Sequence, residues 1–116
     1  MSSVSTVAVL AVAGLHVFFM YLEMVLFPTP KGRKIFGVKE EDVEAMKVLA
    51  ANQGIYNGAL AAVLVWAQLA GQEQTVIAML LFVIVVGLYG AATAARSILF
   101  IQVVPAAIAL GLLFAV

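Results

Sequence analysis

Pro28-Thr-Pro-Lys-Gly-Arg-Lys-Ile-Phe-Gly37, continued by Val38-Lys-Glu-Glu-Asp-Val-Glu-Ala-Met-Lys47, is the only sizeable polar stretch of the chain. It holds five of the six Lys and Arg residues and four of the six acids, so the rest of the sequence is left almost without charge. On its N-terminal side, Val7 to Phe27 is apolar apart from His16 and Glu23. Pro28 and Pro30 stop a helix there, because proline lacks an amide donor and pushes the preceding residue out of the α region. On its C-terminal side, Lys39-Glu40-Glu41-Asp42 reads as a helical first turn, where carboxylates meet the positive end of the dipole. An apolar run from Val48 to about Leu69 follows. Gly71-Gln72-Glu73-Gln74 is a linker, and Arg96-Ser97 is a tight turn.

This punctuation predicts four helices, at about 4–27, 40–70, 75–95 and 98–116. Composition says where they reside. Of 116 residues, 66% are hydrophobic and 10% charged, with a mean hydropathy of +1.18. A soluble domain carries about a quarter charged residues, and a disordered chain has far less apolar content. Each membrane span needs about 20 apolar residues, so four spans and their loops use the whole length as one domain, residues 1–116. The first apolar run lacks a basic leader and is too long for a signal peptide, which marks it as a retained helix. The expected fold class is all-α: a membrane-embedded antiparallel four-helix bundle, up-down-up-down, because short connections make antiparallel neighbours.

Orientation follows from the cations. Under this topology all six Lys and Arg residues fall on one side, and the positive-inside rule makes that side cytoplasmic. Both termini are then outside (N-out/C-out), in a multi-pass protein whose first partner is the lipid bilayer. The net charge of zero offers nothing to nucleic acid. Without cysteine there is no disulfide framework, thiolate metal site or thiol nucleophile. A single histidine is too few for a metal site, and no cofactor is expected.

Ionisable side chains inside a bilayer cost about 2.5 kcal/mol or more, and mark functional sites by default. His16 and Glu23, seven apart, share one face of helix 1, with Met20 between them. Helix 2 is dense in amides: Asn52, Gln53 and Asn57, with Tyr56 one turn from Asn52. Amides glue helices together, but three of them plus a tyrosine exceed what glue requires and predict a cavity lining. Tyr89, Thr93 and Arg96 share a face of helix 3, and Gln102 lies one turn inside helix 4, ahead of Pro105. Except for His16 at the floor, these residues all fall in the cytoplasmic half, while the outer half is almost purely aliphatic apart from Trp66 and Gln68. The pattern predicts a pocket open to the cytoplasm and closed outside by an apolar plug, with a Glu23–Arg96 ion pair framed by the helix 2 amides. Small-residue stripes at Gly54/Gly58 and at Gly87/Gly90/Ala94 allow close helix approach and predict a homo-oligomer.

Three motifs carry a resemblance: Leu15-His16 with Leu22-Glu23-Met24; Thr29-Pro30-Lys31-Gly32-Arg33-Lys34 with Phe36-Gly37; and Leu49-Ala50-Ala51-Asn52-Gln53-Gly54-Ile55-Tyr56-Asn57-Gly58. Together they resemble a family of small bacterial four-helix membrane proteins catalogued as a domain of unknown function. The resemblance implies a bacterial inner-membrane protein and brings no activity with it. Small multidrug resistance transporters are similar in length and in a membrane carboxylate on helix 1, but lack the long charged first loop and the amide-rich second helix.

The pocket favours binding or transport of a small molecule, with Glu23 as a titrating carboxylate. A second reading is a membrane enzyme on a lipid-like substrate, with His16 and Glu23 as acid and base and Arg96 holding a head group. A third is an accessory subunit in which the polar cluster only sets helix register.

Overall fold

The computed structural model describes residues 1–115. Every regular element among them is helical. There are five α-helices rather than the four expected: α1 Ser3–Tyr21, α2 Pro30–Phe36, α3 Val43–Leu69, α4 Glu73–Thr93 and α5 Val104–Ala115. Two π turns extend this set. Leu22–Leu26 continues α1, and Leu99–Val103 leads into α5. A 3₁₀ turn, Glu40–Asp42, precedes α3.

The additional helix, α2, lies inside the charged loop. Thr29, in extended conformation, accepts a hydrogen bond from the Gly32 amide on its Oγ1, and Pro30 occupies the first helical position. Gly37 stops the helix in the left-handed conformation (φ 67°) that an L side chain resists. Reading the prolines only as terminators overlooks that a Thr-Pro pair also starts a helix.

Three helical stretches are long and apolar enough to cross a membrane: Ser3–Leu26, Glu40–Leu69 and Glu73–Thr93. Leu99–Ala115 is apolar but shorter.

The chain forms two compact units. The first combines Met1–Leu15 with residues from Ala62 onward. Its core is aliphatic: Val9, Val12, Leu64, Val76, Leu80 and Val83 are all fully buried. Within it α5 and its π turn run antiparallel to α4, and glycines let them meet. A Cβ on Gly87 would stand 2.7 Å from Val103 Cγ2, and one on Gly90 3.3 Å from Ile98 Cδ1. Pro105 has no amide to offer the Ile101 carbonyl, and the helix enters through the π turn, the Val104 amide bonding Leu99 O. One polar tie crosses the core: Gln68 Nε2 donates to Thr6 Oγ1 at 2.8 Å. The expected apolar plug therefore contains a buried amide, and Gln68 Oε1 is buried there without a partner.

The second unit is His16–Ala61. The end of α1, with its π turn, and the Gly54–Gly58 part of α3 run antiparallel in it, Met20 facing Gly58 and Met24 facing Gly54. α2 is locked against the π turn that ends α1: Gly32 lies directly on the Leu26 carbonyl, where no Cβ fits. Thr29 Oγ1 donates to that carbonyl at 2.6 Å, and buried Phe27 packs on Phe36 with ring centroids 5.3 Å apart.

Candidate functional site

The second unit contains an open groove of about 380 Å³. One wall comes from the π turn after α1 and the residues that follow it: Glu23, Met24 and Pro28. The other is a single face of α3, in which Lys47, Val48, Ala51, Asn52 and Ile55 recur at one- and two-turn spacing. Glu23 lies in the π turn, closed by the Phe27 amide bonding Leu22 O at 2.8 Å. Such turns widen a helix locally and recur at functional sites. Asn57 Nδ2 donates to Glu23 Oε1 at 2.5 Å. At the mouth, Lys47 Nζ pairs with Glu44 at 2.9 Å, one turn back on the same helix. The surface is thus mostly aliphatic, with one carboxylate, one amide and one ammonium around it.

The expected site residues divide. Glu23 and Asn52 line the groove, and Asn57 secures Glu23. His16 is buried, 2% exposed, and packs edge-on to Phe19 at 5.1 Å instead of lining it. Gln53 and Tyr56 are exposed, Tyr56 by 72%. Tyr89 and Thr93 lie one turn apart on an exposed side of α4: Tyr89 is 73% exposed, and Thr93 Oγ1 donates back to the Tyr89 carbonyl at 2.7 Å. Gln102 Nε2 donates to the Val83 carbonyl of α4 at 3.2 Å.

The ion pairs among the described residues are Arg33–Glu40 and Lys47–Glu44, both inside the second unit. α4 ends at Thr93, which leaves Arg96 exposed in a turn beyond it. The glycine stripes are also used differently from expectation. Gly54 and Gly58 face Met24 and Met20, and Gly87 and Gly90 face Val103 and Ile98, all within the chain. Sequence reasoning missed Lys47, Val48, Ala51 and Ile55 as groove residues. The signal was their shared helical face with Asn52.

The sequence model of the DUF1304 family, described as a protein of unknown function, matches residues 10–114. The chain belongs to this family. The matched region of this DUF1304 protein contains the groove, both π turns and α2. A relative, the uncharacterized protein YpaA of Lactococcus lactis subsp. lactis (strain IL1403), is 32% identical over 89 residues, covering 73% of the DUF1304 chain and 75% of YpaA. No solved structure matches.

Proposed function

We propose that this DUF1304 protein is a multi-pass protein of the bacterial inner membrane that binds, and by transport moves, a small molecule at the Glu23 groove. The observation that carries the reading is a carboxylate within an apolar 24-residue stretch, lining a groove while Asn57 holds one of its oxygens. A helix apolar around its whole circumference needs an apolar surrounding. The three long stretches meet little of it inside the protein, with only 17–22% of their most apolar portions buried. Lipid supplies the remainder, and Leu99–Ala115, 17 residues long, is at the lower limit for a fourth span. The side that carries the Lys and Arg residues is then the cytoplasmic one, with Lys47 in the wall of the groove.

The chemistry selects a lipophilic cation. Its apolar body lies along Val48, Ala51 and Ile55, and its charge meets Glu23. A homo-oligomer belongs to the same reading, with faces other than the glycine stripes meeting a second copy. The test uses tetraphenylphosphonium as probe and isothermal titration in detergent. The wild type binds it, and E23Q binds at least about tenfold more weakly, the factor that 1.4 kcal/mol of lost ion pairing gives. Equal binding by both, or none by the wild type, overturns the reading.

A further inference from the structure

We propose that α2 is an anionic-phospholipid clamp at the membrane surface, a function separate from the groove. The charges of the first loop are segregated by its fold. Residues 30–39 hold four cations, Lys31, Arg33, Lys34 and Lys39, and no acid. The acids Glu40, Glu41, Asp42 and Glu44 come after α2 has ended at Gly37. Arg33 is directed to one of them, 3.5 Å from Glu40. Lys31 and Lys34 enter no ion pair among the described residues, and both are exposed.

Lys31, Lys34 and Ile35 stand at i, i+3 and i+4, so two ammonium groups and a 53%-exposed isoleucine form one outward face. The opposite face is anchored, since Gly32 is buried on the Leu26 carbonyl and Phe36 packs on Phe27. The face is therefore held in place before any ligand arrives. Helix α2 begins four residues after the first apolar stretch ends at Leu26. Paired ammonium groups suit a phosphate, and an exposed isoleucine beside them suits the acyl boundary beneath it. A soluble acidic peptide has no use for the isoleucine, so the occupant is a lipid such as phosphatidylglycerol. The clamp rests on the membrane reading above but not on the Glu23 groove.

The experiment reconstitutes the full chain in nanodiscs of mixed phosphatidylglycerol and phosphatidylcholine and reads retained lipid by native mass spectrometry. Failure to insert into any nanodisc would sink the membrane reading and the clamp with it. A chain that inserts but shows no preference for phosphatidylglycerol overturns the clamp alone. The expected wild-type result is roughly tenfold enrichment of phosphatidylglycerol, weakened by salt and unaffected by equimolar inorganic phosphate. K31Q/K34Q and I35E fall to within about twofold of no preference, and K31R/K34R keeps it. Unchanged enrichment in K31Q/K34Q, or displacement of the lipid by inorganic phosphate, overturns the clamp.

Discussion

Asn57 donates its side-chain amide to Glu23 across 2.5 Å, joining two helices through residues 34 positions apart. Removing either partner should be unequal in effect. E23Q keeps an acceptor of the same shape, and its stability loss should stay below about 1 kcal/mol. N57L strips a partly buried carboxylate of its donor and should cost about 1–3 kcal/mol. The double variant E23M/N57L replaces both by apolar groups and should recover most of that loss. Chemical unfolding in detergent measures the cycle, and additive losses would show that the two side chains do not interact.

The glycines should rank by what a methyl group meets. Gly32→Ala forces a methyl into the Leu26 carbonyl, and backbone cannot yield, so it should be the most damaging. Gly54→Ala meets Met24 Cγ at 2.5 Å and the Met20 carbonyl at 3.2 Å, and should come next. Gly58→Ala meets the Met20 thioether, a flexible end that can move, and should be mild. Gly14→Ala meets nothing within 4 Å in mid-helix and should be neutral or gain up to about 1 kcal/mol. Thermal unfolding of the four variants gives the order.

The Thr6–Gln68 tie predicts an asymmetry. Thr6→Val leaves a buried amide with neither end paired and should cost about 1–3 kcal/mol. Gln68→Leu removes the orphaned Oε1 together with the bond, while the Thr6 hydroxyl can turn back to its own helix. It should be neutral or stabilising. The reverse order in unfolding experiments would mean that Gln68 Oε1 has a partner such as an ordered water.

Orientation is open to labelling because the chain has no cysteine. Gln72→Cys, in the exposed turn between α3 and α4, should react with an impermeant maleimide in intact cells. Lys39→Cys should react only after permeabilisation. The opposite result would invert the topology.

Much of this architecture is written in the order of the residues. Long apolar runs must be helical where lipid leaves backbone groups no other partner, and the prolines, Gly71 and Arg96-Ser97 punctuate them. The seven-residue step from His16 to Glu23 and the turn of amides at Asn52–Asn57 placed the chemistry on particular faces. Glu23 and Asn57 were legible as neighbours because a charged group in an apolar helix needs a donor, and the facing amides supplied one. Helix α2 was legible in principle, through the Thr29-Pro30 start.

Where each face points was a different matter. Tyr89 and Thr93 share a side of α4, but a helix apolar all round carries no amphipathic contrast to say whether that side looks inward or out. Packing decides it: Gly87 and Gly90 are the narrow side that admits Val103 and Ile98, and the tyrosine face is left exposed. The same holds for Lys47. Charge complementarity names candidate partners, whereas the distance between them depends on how helices end and meet, which no local run of residues encodes.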